Sequence, residues 1–435
     1  MMRAAFALGL GMLAGTAVAA PPEQGTALTL AAAQEIALRN HPLIRGAASD
    51  VEAAEQAVLI ARAPLYPQIS LNAVQTVASN GSRIAAIGGL TDPTVIERGS
   101  AGVAASQLLS DFGKTESEEA ASRSEAEATI SQGRLTAAQI VLNVSQAYYA
   151  ALDTAGLAEV ARETLSQRQV LLDQVSALAR AKLKSSLDVS IAGGDRDEAR
   201  QFLIDATSQH ENALASLSEA LGDPDFRPYV PQPPAAIPQV TGNLQQYLDV
   251  ALTANPALRA STAQSEAARQ RAQAAHKAFY PEIDALAYAG GTPETGAGTK
   301  LDSTYVVGGL VLRVPLYSGG ALSADARRAD AQAAAAGYQL EEQRNRLRRD
   351  VHAAFDDVRA AYDNIAVTRS ILDNAERALR LTRASYQIGA SSIVDLSEAQ
   401  LRRTQAAIAN TDATYRYLLQ RAALDFLLGV STSSP

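Results

Sequence analysis

Two carboxylates three residues apart, Asp395 and Glu398, follow Ser391-Ser392 where the sequence returns to helix-forming residues. At that spacing both face one side of a helix, and an acid in a first helical turn is favoured by the helix dipole. Helix capping is therefore one role open to Asp395. An earlier turn carries Asp188 but has Ile191 where a second acid would stand. Nothing else in the chain has the spacing of a catalytic set. The four histidines, His41, His210, His276 and His352, are scattered without metal-ligand spacing. There is no Walker loop, no G-x-S-x-G elbow and no H-E-x-x-H. The chain has no Cys, which excludes disulfides, thiol chemistry, Cys-ligated zinc and a lipid-modified N-terminal Cys. No enzyme activity, cofactor or metal is expected, and the remaining carboxylates read as solvated helix faces.

The elements that must position these turns are very long. From Lys114 to Leu183 there is no Pro, and Ala, Glu, Gln, Leu and Arg dominate. One helix through the stretch is roughly 100 Å long, which no small globular domain encloses, so it must lie beside other rods. Val144, Ala147, Ala151, Thr154 and Ala158 alternate spacings of three and four, and so do Val351, Ala354, Val358, Ala361 and Ile365. That rhythm is a coiled-coil seam, and its knobs are small enough for close helix approach.

The chain is duplicated. Pro256 follows Pro42 by 214 positions and Tyr280-Pro281 follows Tyr66-Pro67 by the same offset. Tyr317-Ser318-Gly319 follows Asp111-Phe112-Gly113 by 206, and Val394-Asp395-Leu396 and Leu428-Gly429 follow Leu187-Asp188-Val189 and Leu221-Gly222 by 207. Each half predicts a helix broken at x-Pro, two alternating strands, a long helix, a turn and a return helix of about 35 residues. The first half reads as helix from Leu28 to Ala63, a strand around Ile69, Leu71 and Ala73, a loop from Ala78 to Arg98, and a strand with Ala101, Val103 and Ala105 on one face. The return helix is expected to be interrupted at Gly193-Gly194, with a kink or weak point there. In the second half Ile283, Ala285 and Ala287 mark one strand, Gly291 to Ser303 a loop and Thr304 to Leu316 another strand. The expected organisation is a signal peptide at 1–19, a first repeat at 20–222, a Pro-rich linker at 223–242, a second repeat at 243–429 and a short tail at 430–435.

At 435 residues with net charge −8, from 38 basic and 46 acidic residues, the chain gives no reason to expect nucleic acid. It is 47% hydrophobic but 5% aromatic, without Trp, which suits narrow helical seams. The apolar run Ala4 to Val18 ending in Ala17-Val18-Ala19 reads as a signal peptide, the other reading being a membrane anchor. Beyond it no run of about 18 apolar residues occurs. The mature protein is then either soluble or crosses a membrane as a β-barrel. Four short strands cannot close around water. Three chains would supply twelve, with lipid outside and water inside; a soluble two-hairpin bundle is the other reading.

The order of elements, the doubling, Asn40-His41-Pro42, Tyr66-Pro67, the Asp111-Phe112-Gly113-Lys114 junction and Tyr386-x-x-Gly389 before Val394-Asp395-Leu396 resemble the TolC-type outer-membrane efflux protein family from Leu28 to Gly429. The resemblance implies a mainly α fold with a small β part. Duplicated helical hairpins would form a periplasmic α-barrel, and four strands per chain a homotrimeric 12-stranded barrel in outer-membrane lipid. It implies an exit duct in a Gram-negative outer membrane, engaged by a periplasmic adaptor (membrane fusion protein) and an inner-membrane transporter of RND or ABC type. On that resemblance Asp395 and Glu398 line a periplasmic constriction as acidic rings, which attract cations, and Tyr386 helps hold the tunnel shut. The basic residue of some members is absent here, with Ser391 in its place. Lys182, Lys184, Ser185 and Ser186, with Gly389, Ser391 and Ser392, form the tips for adaptor contact; as plain residues they also read as solvated turns. Gly113, Gly319 and Gly320 permit the strand-to-helix bend, and Pro42 and Pro256 end or kink helices. Tyr66, Tyr280, Tyr305 and Tyr317 lie near strand ends, as an aromatic belt or as packing at the barrel–tunnel junction. A periplasmic coiled-coil adaptor, or a structural protein without a pore, is the alternative function.

Overall fold

The computed structural model describes residues 26–77, 84–85, 91–92, 95–296 and 299–430. The expected signal peptide at 1–19 and most of the tail at 430–435 lie outside the described residues.

The chain begins with β1 (Thr26–Leu28), α1 (Leu30–Asn40), α2 (Pro42–Arg62) and β2 (Gln68–Val77). The two-residue strands β3 (Ile84–Ala85) and β4 (Thr91–Asp92) pair with each other. β5 (Val95–Ser110) then leads into α3 (Lys114–Arg180), which turns back as α4 (Ser186–Ala220). After β6 (Tyr229–Pro231) the second half repeats the plan. It has α5 (Leu244–Ala254), α6 (Pro256–Lys277), β7 (Glu282–Gly296), β8 (Thr299–Arg313), α7 (Ala321–Gln387) and α8 (Ile393–Leu428). α3 and α7 have the same length, 67 residues, or about 100 Å each.

The strands form one antiparallel sheet in the order β2-β5-β7-β8. The helices that continue from them keep that order, since α2 packs on α3, α3 on α6 and α6 on α7. Below the middle of the rods the partners change, so that α4 packs on α3, α3 on α8 and α8 on α7. α3 is thus flanked on both sides along its whole length. Its seam residues Val144, Ala151 and Ala158 are buried, as are Val351 and Val358 of α7. The main core lies at mid-length, where α1, α5 and the Pro-rich segment gather around Ile140, Val144, Tyr148, Leu217, Val351, Tyr417 and Leu424.

The repeat landmarks meet in space. α4 ends at Gly222 and α8 at Gly429, both at φ +68°. A methyl group on Gly222 would stand 3.0 Å from the Cα of His41, and one on Gly429 3.1 Å from the Cα of Asn255. Each return helix therefore ends against the x-Pro break of its own repeat. A left-handed terminus and a close backbone approach both call for glycine.

Five expectations need correction. Leu28 is not helical: β1 pairs in parallel with β6, Leu28 opposite Pro231. The loop expected over Ala78 to Arg98 gives way to strand by Val95, because Arg98 pairs with Thr76 and Glu97 with Val77; residues 78–83, 86–90 and 93–94 lie outside the described ones. Gly291 to Ser303 is not a loop but the facing ends of β7 and β8, paired as far as Gly296 and Thr299. There cross-strand pairing overrides a loop-like composition, and β8 ends at Arg313 rather than Leu316. α4 also runs unbroken through Gly193-Gly194. It is held to α3 by buried Ala192, Ala199 and Ala206 on either side, and tertiary packing of this kind outweighs the local cost of glycine.

The Pro-rich segment is tied down. The buried Tyr148 hydroxyl lies 2.8 Å from the Leu28 carbonyl and 2.7 Å from that of Gln232, and accepts from the Gln232 N–H at 3.0 Å. Replacing Tyr148 with Phe takes the hydroxyl from the Gln232 carbonyl and leaves the Leu28 carbonyl only its bond from the Gln232 N–H at 3.0 Å. We expect it to cost about 1–3 kcal/mol, measured by denaturant unfolding of the helical signal, with faster proteolysis within 223–242.

Candidate functional site

Both turns at the hairpin ends are built alike. Ser185 and Ser392 are N-caps, and each forms a capping box with the acid three residues on. The Ser392 N–H and hydroxyl donate to Asp395 Oδ2 at 2.8 and 2.7 Å, and the Asp395 N–H donates back to Ser392 Oγ at 3.1 Å. Asp188 does the same with Ser185. Hydrogen bonds from the Ser392 backbone and side chain hold the exposed Asp395 carboxyl below its ordinary value of 3.8. Glu398 is exposed and pairs with Arg402 one turn on. The acids of the second turn are therefore unequal, one held as a helix cap and the other in an exposed pair with an arginine.

Tyr386 ends α7 inside a small apolar cluster with Leu171, Val175, Leu379, Ile393 and Leu396. Burial pushes its phenol up, and the Asp188 charge adds to that. Its hydroxyl is buried without a hydrogen-bond partner. The Lys184 ammonium stands 4.2 Å from the ring centroid, a cation–π distance. Ser391 donates to the Thr382 carbonyl at 3.4 Å. A cation thus reaches Tyr386 from the first turn rather than from position 391. Lys182, Ser185, Ser186, Gly389 and Ser392 are exposed, while Lys184 and Ser391 are half-buried. Between them stand exposed apolar residues that sequence reasoning passed over, Leu183, Leu187, Ile388 and Val394.

Sequence reasoning also missed a polar belt one to two turns above the tip cluster. The Arg168 guanidinium on α3 is buried and donates to Asp195 Oδ2 of α4 at 2.6 Å and to Ser397 Oγ of α8 at 2.9 Å. Burial pulls Arg168 below its usual value, against the nearby Asp195 and Glu198 charges. Arg403 of α8 reaches the other way, with Nη2 at 2.9 and 2.8 Å from the Glu163 carboxylate of α3 and 3.7 Å from Glu376 of α7. Thr164 and Thr404 hydroxyls meet at 3.2 Å, and Gln400 is buried with its amide unpartnered. Each arginine thus holds an acid on its own hairpin or the other and bridges the two. Ser397 lies between Asp395 and Glu398, so Arg168 fixes the helix start that carries both acids. A signal was available: the alternation of threes and fours through Val144 to Ala158 continues to Ala161, Leu165 and Arg168, and that of α7 continues from Ile365 to Thr368, Leu379 and Tyr386.

At the other end, Gly113 (φ +88°) and Gly320 (φ +86°) are the N-caps of α3 and α7, with Gly319 at φ +65°. Asp111 accepts from the Gly113 and Thr115 N–H groups at 3.0 and 2.8 Å, closing the strand-to-helix turn. Pro42 and Pro256 occupy the first turns of α2 and α6, each after a capping residue. Tyr66, Tyr280 and Tyr317 are exposed, with Arg62 over Tyr66 and Phe112 beside Tyr280; Tyr305, expected near a strand end, instead lies in the middle of β8 because the strand extends back to Thr299. Among the described residues no helix is long and apolar enough to cross a membrane, and no group of three or more metal-ligating side chains occurs.

Residues 34–223 and 247–430 match the family model described as outer membrane efflux protein. Outer membrane protein TolC of Escherichia coli K12 is 25% identical over 418 residues, covering 90% of this chain and 80% of its own length. The alkaline protease secretion protein AprF of Pseudomonas aeruginosa is 24% identical over 430 residues, covering 94% and 86%. The crystal structure of the outer membrane protein VceC of Vibrio cholerae superimposes with a TM-score of 0.78 at 20% identity, covering 92% of this chain and 96% of that one.

Replacing Arg168 with Met leaves Asp195 without its cation in a largely dry seam. We expect a loss of about 3 kcal/mol in denaturant unfolding, with much of it recovered when Asp195→Leu is added, because a buried pair removed whole costs less than one broken.

Proposed function

Since the chain belongs to the outer membrane efflux protein family, we propose that its two hairpin turns form the gate of an export duct closed by three copies of the chain. The family is a duct and not an enzyme. The protein is an outer-membrane exit channel of a Gram-negative cell, with a large periplasmic helical part, serving efflux or type I secretion. Channels of this family work with periplasmic adaptors and inner-membrane pumps.

The observation that carries the assembly is the sheet. Its outward pairs, Ile69–Ala105–Ala287–Gly308 and Leu71–Val103–Ala289–Val306, are apolar. The opposite face is mixed, carrying Gln68, Ser70, Asn72, Ser106, Asp284 and Arg313 among Val74, Leu108, Leu286 and Val307. Val306 is 86% and Leu310 73% exposed, which suits lipid and not water. β2 and β8 each have one unpaired edge, and no barrel leaves an edge in a bilayer. Joining β8 of one copy to β2 of the next in threes gives twelve strands, enough to enclose water. The purified protein is expected to have a native mass of three chains; a stable monomer in the soluble periplasmic fraction would overturn this assembly.

At the tip, three Asp395 carboxylates form the main negative ring, Glu398 standing in an exposed pair with Arg402. Leu183, Leu187, Ile388 and Val394, with Lys182 and the turn serines, are the surface for the adaptor. An apolar patch rimmed by polar residues is the usual mark of a docking surface. Tyr386, clasped by Lys184 and packed in its cluster, keeps the two turns together.

In planar bilayers, Asp395→Asn is expected to weaken cation selectivity more than Glu398→Gln does. The Ser392 hydrogen bonds favour the charged form of Asp395 while repulsion among three carboxylates opposes it, so replacing Ser392 with Ala should move the loss of selectivity to higher pH. Equal effects of Asp395→Asn and Glu398→Gln would remove the unequal-ring assignment.

A further inference from the structure

The two halves of the chain correspond residue by residue. α2 and α6 begin at Pro42 and Pro256, 214 positions apart. α3 and α7 begin at Lys114 and Ala321 and end at Arg180 and Gln387, 207 apart. The N-caps Gly113 and Gly320 share that second offset and a left-handed backbone. It is one more than the 206 between Asp111 and Tyr317, so the strand-to-helix junctions align on their glycines. The strands follow the helices they join: β2 corresponds to β7 at an offset of 214, and β5 to β8 at 207. The sheet bears this out. Ser70 pairs with Ala104, and their counterparts Asp284 and Val311 pair as well.

One junction has no counterpart within the chain. β5 pairs with β7 and so links the two halves. The same contact one repeat further on would link β8 to a β2, and these are the two edges of the sheet. The helices repeat the pattern. α3 is flanked by α2 and α6 above and by α4 and α8 below, whereas α7 has α6 and α8 on one side only. Ser131 and Thr164 of α3 and Ala274 of α6 are buried, but their counterparts Tyr338 and Ile371 of α7 and Ile60 of α2 are exposed. Large apolar side chains thus stand open at positions that are covered in the other half.

We propose that the contact between copies reproduces the β5–β7 junction in one fixed register, with Val311 of one copy opposite Val74 of the next. The register follows from Ala104 opposite Tyr288, each carried to its counterpart. Within the described strands the pairs run from Gly308–Val77 to Arg313–Asn72. Leu312 then meets Ala73 on the apolar face and Arg313 meets Asn72 on the other, so each row keeps its face around the wall. A slip of one residue would turn every apolar side chain to the wrong side. A slip of two keeps the faces and is the competing register. The proposal rests on the three-copy barrel and adds to it which residues touch. Six like junctions, alternately within and between copies, turn the wall by like steps and return it to its start, as a closed head-to-tail ring requires.

The chain has no Cys, so an introduced pair is the only source of a disulfide. Directly opposite residues of an antiparallel pair have Cα atoms about 4.5–5.5 Å apart, within disulfide reach. Neighbours two positions along lie at about 7–8 Å, beyond it. Under mild oxidation of isolated membranes, the full chain carrying Val74→Cys and Val311→Cys is expected to give covalent dimers and trimers on denaturing gels, reversed by reductant. Val74→Cys with Gly309→Cys, and Val74→Cys with Arg313→Cys, test the two registers shifted by two and should link roughly tenfold less. Thr76→Cys with Gly309→Cys lies in the proposed register and keeps the test open where the first pair does not assemble. Stronger linkage in a shifted pair than in the matched ones overturns the register and leaves the barrel standing. So does an absence of linkage in every pair when the native mass is three chains. An absence of linkage with a native mass of one chain overturns the barrel and the proposal together.

Discussion

The structure depends on how closely other helices approach α3. Its stripe of Val144, Ala147, Ala151, Thr154, Ala158 and Ala161 presents small side chains on a repeat of three and four. Helix pairs packed through such knobs lie at the near end of the usual 8–10 Å separation. Close packing on both flanks lets one rod serve two sets of partners, α2 and α6 above and α4 and α8 below. The change of partner is possible because α2 and α4, like α6 and α8, are stacked end to end and butt together at Gly222–His41 and Gly429–Asn255. A bulky seam would hold the rods too far apart for two short helices to share one continuous surface of α3.

A seam this regular has a weakness. Alanine knobs look alike at every heptad, so one helix can slide along another by a repeat at little cost. The polar belt removes that freedom. Arg168 finds Asp195 and Ser397, and Arg403 finds Glu163, in only one register. A polar residue in a coiled-coil core specifies register at some expense of stability. The belt lies between the alanine stretch and the apolar tip cluster of Leu171, Val175 and Leu396, where a slip would carry Asp395 and Tyr386 out of place. Unpartnered polar atoms on Gln400, Arg403 and Tyr386 mark the same stretch as less fully satisfied than the mid-length core. Rearrangement of the hairpins costs least where the packed state leaves groups unpaired.

Much of this was legible in the residues. The long helices, the duplication and the turn acids all follow from periodicities that local chemistry enforces. The x-Pro and Leu-Gly landmarks were legible as matching pairs, though not as pieces that touch. What stayed hidden depended on partners far away in the chain. The pairing of β1 with β6 joins residues two hundred positions apart, and no local pattern in Thr26–Leu28 announces it. Glycine, threonine and serine in 291–303 read as a loop because composition is local, whereas Gly291 is a strand residue through Thr304 and Ala101. The Gly193-Gly194 break failed for the same reason, since α3 holds α4 on either side. Arg168 was visible on the seam rhythm but looked like a surface charge, as most arginines are.

Strand order and helix order are the same order, and this has a consequence for how the protein is assembled. Each strand runs on into the rod beneath it, β2 from α2, β5 into α3, β7 from α6 and β8 into α7. A wall closed in the membrane is therefore closed below it by the same neighbours. Whatever joins β8 of one copy to β2 of the next also brings α7 of the first against α2 of the second. The exposed apolar residues Leu43, Leu59 and Ile60 of α2 and Tyr338 and Val367 of α7 stand on those two outer rods, where a single chain gives them nothing to cover them. Hydrophobic faces left open in water on both edges, and hydrogen-bonding strand edges left open in lipid, are relieved by one and the same contact. In the proposed three-copy assembly, barrel and tunnel therefore share one set of neighbours, and the contact that closes the strands is the one that closes the helices.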